Sequence, residues 1–242
     1  LTSRISNISV REQSGCDEIQ ALTGRNDIVN VVDPALAIGA EFWERLIERA
    51  EYKIDSEPYM FIFFLMNNND YIENAIQEAK KKGLKPLVMH CTQSSDTKFA
   101  NIEAPSPIAL LKVIRNAAFV STDSFHILVF SILFRVQFLI YNKYTDNAMS
   151  SQNFRLIELM DKLGIVDHIY KEGVQKVDAI DYKPVHDRLI KYQTISIDYL
   201  KNAIESLPDG KGKYVRRYDC EDCQICQGED CIEFEDYWIN RG

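Results

Sequence analysis

Residues 59–66 form an unbroken apolar run, the pattern of a strand buried on both faces of a sheet. The polar stretch Asn67-Asn68-Asn69-Asp70 stops it and supplies caps for a helix over 71–82, which Gly83 is suited to end. Residues 86–91 predict the next strand, and 93–103 are polar enough to be a loop. Ser106-Pro107 opens a helix through Arg115, with proline suited to the first helical position. Upstream, residues 5–10 and 28–32 read as strands, the second closed by the turn Asp33-Pro34. Between that turn and the apolar run, 41–50 reads as a helix with Trp43, Leu46, Ile47 and Ala50 on one face.

The chain is organised around residues 116–134. A short apolar run, 117–120, breaks at Ser121-Thr122-Asp123-Ser124 and restarts as a mostly apolar block from Phe125, a strand, a tight turn and a helix. The first backbone N–H groups of such a helix lack intrahelical partners and stabilise an anion placed beyond them. Asp123 or Ser124 is positioned to cap that helix, and His126 falls in its first turn. His126 reads either as a hydrogen-bonded packing residue or as an acid beside a bound anion. After it come a strand near 138–141, a helix over 153–163, and, from 185 to 204, one helix or two with Ser196 as a candidate internal cap.

Strands alternating with helices predict an α/β fold, Rossmann-like, with a largely parallel sheet covered on both faces. In such sheets ligands bind outside the carboxyl ends of the strands, where Arg11, Asp33 and the turn at 121–126 all fall. The alternation defines a first domain over 1–166, a helical extension over 167–213 and a tail over 214–242. A net charge of −8 argues against a general nucleic-acid binder, since affinity for a phosphate backbone needs clustered cations, while a small anion needs only a few. The apolar block from Phe125 is interrupted by His126, Ser131, Arg135 and Gln137, so no membrane span is expected.

The tail is acidic, with Arg216, Arg217 and Arg241 against eight Asp and Glu. It holds Cys220, Cys223, Cys226 and Cys231, whose C-x2-C-x2-C-x4-C spacing can chelate zinc and loosely matches an iron–sulfur pattern. Unligated thiols on an acidic tail are the equal alternative. Clustered cysteines without a secretion signal fit a cytosolic setting. The first residue is Leu1 rather than Met, so the sequence is expected to begin inside a longer product.

Several short stretches then carry a resemblance. Ser9-Val10-Arg11-Glu12, Val32-Asp33-Pro34, Ser106-Pro107, Thr122-Asp123-Ser124-Phe125-His126 with Phe130-Ser131, and Arg155 before Leu163-Gly164 occur in the order seen in polysaccharide pyruvyl transferases. The chain resembles that family from about Ser9 to Ile165, and looks like the C-terminal, GT-B-like half of its two-domain fold.

The resemblance implies transfer of the pyruvyl unit of phosphoenolpyruvate onto a sugar of a surface polysaccharide, as a ketal, with a saccharide acceptor and no required cofactor. It places the donor on Arg11 and the Ser124-Phe125-His126 turn, with His126 as the acid. Arg155 and Asn153 are candidates for the same rim; local capping by Asn153 and a solvated charge at Arg155 are the alternatives. Arg11 reads otherwise as an ion pair with Glu12 or Asp33. Two positions depart from the family's pattern: Ser124 stands where some relatives carry Arg, and Ile127 where many carry Gly. A glycosyltransferase using a nucleotide sugar, and a non-catalytic binding module with a metal-binding tail, are the competing readings.

Overall fold

The computed structural model describes residues 5–54, 57–66, 68–90, 99–100, 102, 105–142, 152–172 and 178–206. Two parallel sheets are present among them. The smaller pairs β1 (Ser9–Val10) with β2 (Val29–Asn30). The larger has four strands, β3 (Tyr59–Phe64), β4 (Lys85–His90), β5 (Phe119–Thr122) and β6 (Gln137–Ile140), in the order β4-β3-β5-β6, all parallel. The α/β architecture and the parallel pairing are as the alternation predicts.

All six residues of β3 are buried, and the strand's two-residue period divides them between two cores. Met60, Ile62 and Phe64 pack with Ile72, Ala75 and Ala79 of α4 (Asn69–Lys81) on one face. Phe61 and Phe63 face the larger core, which takes in α5 (Pro107–Asn116) and α6 (Phe125–Leu133). Helices therefore cover both faces, and β3 is apolar throughout because neither face meets water.

The polar punctuation acts largely as its chemistry predicts. Asn68 caps α4 by accepting from Tyr71 N–H, and Gly83 follows the helix in the left-handed region at φ +67°. Ser106 caps α5 from Ala109 N–H, with Pro107 at the first helical position.

Several expectations are corrected. The strand expected over 59–66 stops at Phe64, because the N–H groups of Leu65 and Met66 turn away from the sheet to a side chain described below. The expected strands at 5–10 and 28–32 shrink to two residues each. Between them lies a helix that the pattern did not announce, α1 (Gln13–Thr23), whose one buried side chain is Cys16. Burial pushes the Cys16 thiol up, with Asp17 adding to the effect. Asp33-Pro34 closes β2 but also starts a short helix, α2 (Pro34–Ile38), which runs into α3 (Ala40–Glu48).

Two more helices follow β6, α7 (Gln152–Leu163) and α8 (Tyr182–Glu205). α8 is one helix, and Ser196 lies inside it, donating to Tyr192 C=O at 2.7 Å rather than capping a break. Tyr182, Val185 and Leu189 enter the same core as α6, and the compact unit holding both sheets runs to Ile197. Residues 207–242, with the four tail cysteines, lie outside the described residues.

Candidate active site

The turn between β5 and α6 is clamped from below. Thr122 Oγ1 donates to Phe63 C=O at 2.6 Å and accepts from Ser124 N–H at 3.0 Å. Asp123 is 3% exposed, and its two carboxylate oxygens accept from Leu65 N–H at 2.7 Å and Met66 N–H at 3.2 Å. Strand β3 is followed by β4 on one side, and β5 then lies on its other side, so the winding reverses between β3 and β5. Ligands bind at that reversal in open parallel sheets. Here the Asp123 carboxylate spans it.

With Asp123 so engaged, it does not cap α6, and Ser124, at the N-cap position, makes no side-chain cap either. Both expected caps are thus corrected. The first turn of α6 thus has no side-chain cap, and the positive end of the helix dipole lies there. His126 is the one exposed residue of an otherwise buried or half-buried helix, against the edge of the Phe125 ring at 5.6 Å between centroids. Ile127 is buried in the core, so the branched side chain that departs from the family's glycine points into packing rather than into the turn.

Phe125 is the meeting point of two cations. The guanidinium carbons of Arg11, from the end of β1, and Arg155, from α7, each stand 5.6 Å from the centre of its ring. Arg11 Nη1 also donates to Asp33 Oδ2 at 2.7 Å, and its Nε lies 3.8 Å from Glu12 Oε1. The ion pair with Asp33 and the place in the pocket therefore coexist. Arg155 has no acidic partner among the described residues.

A pocket opens beside this ring, with Arg11, Asp33, Phe125, Arg155, Glu158, Lys162 and Ser196 in its lining. Lys162 Nζ donates to Glu158 Oε1 at 2.8 Å and to Asn30 Oδ1. Glu158 Oε1 also accepts from Gln13 N–H at 2.5 Å, so a carboxylate from α7 sits on the N-terminus of α1. Ser196 Oγ accepts from Val32 N–H at 2.9 Å and ties α8 to the end of β2.

Of the residues singled out from sequence, Arg11, Phe125 and Arg155 line the pocket; Ser124, His126 and Asn153 do not. Asn153 is half-buried in the first turn of α7. Glu158, Lys162 and Ser196 were not anticipated as site residues. Only the helical spacing of Glu158, Leu159 and Lys162 from Arg155 signalled a shared face of α7.

Residues 1–142 match the family model described as polysaccharide pyruvyl transferase. The chain belongs to the polysaccharide pyruvyl transferase family. The match spans more than half of the 242 residues, ends just past β6, and includes Arg11, Asp33 and the whole β5–α6 turn. Arg155 and the rest of α7 lie beyond it. No curated protein and no solved structure matches the chain. As a pyruvyl transferase family member, it is read as an enzyme with a saccharide acceptor. Among the described residues no helix is long and apolar enough to cross a membrane, and no group of three or more His, Cys, Asp or Glu is placed to hold a metal ion.

Proposed function

We propose that the chain transfers the pyruvyl unit of phosphoenolpyruvate onto a saccharide destined for a surface polysaccharide, forming a pyruvate ketal. The observation that carries this reading is the convergence of Arg11 and Arg155 on Phe125, next to the uncapped, positive end of α6. Phosphoenolpyruvate carries a phosphate and a carboxylate, and guanidinium groups and helix amides suit both. In this reading the reaction takes place in the cytoplasm.

His126 has no hydrogen-bond partner among the described residues and faces solvent, so its imidazole is available to a reactant. In this reading it delivers a proton to the methylene carbon of the donor, and positive charge develops at the carbon bearing the phosphate. A sugar hydroxyl attacks there and gives up its proton, phosphate leaves to form a second cation at the same carbon, and a second hydroxyl of the same sugar adds with loss of its proton to close the ketal. Ser124 is the N-cap residue of α6 and leaves the helix end without a side-chain cap; in this reading the donor's anionic groups approach that end.

The deciding experiment is thermal unfolding with and without phosphoenolpyruvate, repeated on Arg11→Ala and against a nucleotide sugar. A ligand that binds only the folded state raises Tm by mass action. A shift with phosphoenolpyruvate that disappears in Arg11→Ala supports the reading. A shift with the nucleotide sugar alone assigns a glycosyl donor instead. Loss of turnover in folded His126→Ala supports its role as the acid, and full turnover removes it.

A further inference from the structure

We infer that Asp33 is a positioning residue of the donor site and acts through Arg11; the inference rests on the reading that Arg11 binds phosphoenolpyruvate. Asp33 is 5% exposed and sits at the N-cap of α2, with Pro34 fixing the backbone that follows. Its two oxygens have separate partners: Oδ1 accepts from Ala35 N–H at 2.9 Å, and Oδ2 from Arg11 Nη1 at 2.7 Å. A carboxylate held this way cannot follow a mobile arginine, so the arginine is held by the carboxylate.

The second hold on Arg11 is the Phe125 ring at 5.6 Å. One hold comes from the end of β2 and the other from the turn after β5, so the fork is fixed between two separately anchored points. Glu12, at 3.8 Å from Nε, is too far for a hydrogen bond. Among the described residues only Nη1 has a hydrogen-bond partner, which leaves the rest of the fork to a bound anion. Asp33 also cancels the charge of Arg11, so the uncompensated cation at the ring is Arg155. Arg11 orients the donor and Arg155 supplies the attraction.

Asp33→Asn tests this, because asparagine caps helices as well as aspartate does but presents an NH2 where one oxygen was. Two quantities are measured: the rate at which phenylglyoxal modifies Arg11, followed by peptide mass spectrometry, and the KM for phosphoenolpyruvate. In Asp33→Asn, Arg11 is expected to react ~3-fold faster or more, and donor KM to rise about tenfold with acceptor KM unchanged, the scale of one charge-assisted hydrogen bond. In an Arg11→Ala background Asp33→Asn should change donor KM no further. Should Asp33→Asn fail to fold, Asp33→Ser retains a cap and loses the contact with Arg11. An unchanged modification rate in a folded variant, or effects of the two substitutions that multiply, overturns the inference. If wild-type protein neither binds nor turns over phosphoenolpyruvate, the functional reading falls, and the modification rate still decides whether Asp33 holds Arg11.

Discussion

The carboxylate of Asp123 accepts from the backbone N–H of Leu65 at 2.7 Å across the point where the winding of the larger sheet reverses. The same group also takes Met66 N–H, so one side chain joins the end of β3 to the turn that precedes α6. Asp123→Ala strands both amides and frees the turn. A loss of about 2–4 kcal/mol in urea unfolding is expected, from two donors left without acceptors. A loss under about 0.5 kcal/mol, the size of a plain surface substitution, would mean that water replaces the carboxylate.

Arg155 has no acidic partner among the described residues, so its removal is expected to act on binding more than on the fold. Arg155→Ala should raise the KM for phosphoenolpyruvate by roughly tenfold or more, with Tm almost unchanged, since one charge-assisted contact with an anion is lost. Arg155→Lys keeps the charge without the planar fork and should fall between the two. An unaltered KM in Arg155→Ala would take α7 out of the donor site.

Ser196 joins α8 to the segment that follows β2 by accepting from Val32 N–H, 164 residues away in sequence. Ser196→Ala leaves that amide unpaired at a site where the serine is 1% exposed, and about 1–3 kcal/mol of stability should go with it. Equilibrium unfolding reads the loss. Ser196→Thr, which retains the hydroxyl, should recover part of it.

Two histidines outside the site make stability depend on pH. Burial pushes the pKa values of His168 and His186 below their ordinary value of 6.5. The unfolded chain therefore takes up protons at these residues before the folded one does. Stability should be level above pH 6.5 and fall as pH drops below it. Tm measured between pH 7.5 and pH 5.5 checks the sign, and the double variant His168→Gln, His186→Gln should flatten the slope.

What could be read from the chain depended on whether the signal was local. The run at 59–66, the Ser106-Pro107 start and the break at 121–124 are set by neighbouring residues, and the structure places elements at each. Helix α1 was hidden because only Cys16 of its eleven residues is buried, which leaves no apolar stripe to count. Helix α2 was hidden because Asp-Pro looks the same whether it ends a strand or caps a helix. The turn at 121–126 was legible as a place, but not the engagement of Asp123, since its partners lie 57 and 58 residues upstream. Arg11 and Arg155 were named singly. That Arg11, just after β1, and Arg155, on α7, meet over the Phe125 ring is a tertiary contact that no spacing along the chain encodes.

The bond from Ser196 to Val32 also has a meaning in time. A ribosome adds residues at about 5–20 per second, so roughly ten to thirty seconds separate the appearance of these two partners. Through that interval the nascent chain carries Val32 with its amide unpaired and Leu36 without Leu189 in the shared core. The last helix of the compact unit to be synthesised is thus the one that closes the earliest part, and a chain halted before residue 196 should leave that edge open to chaperones or to other nascent chains.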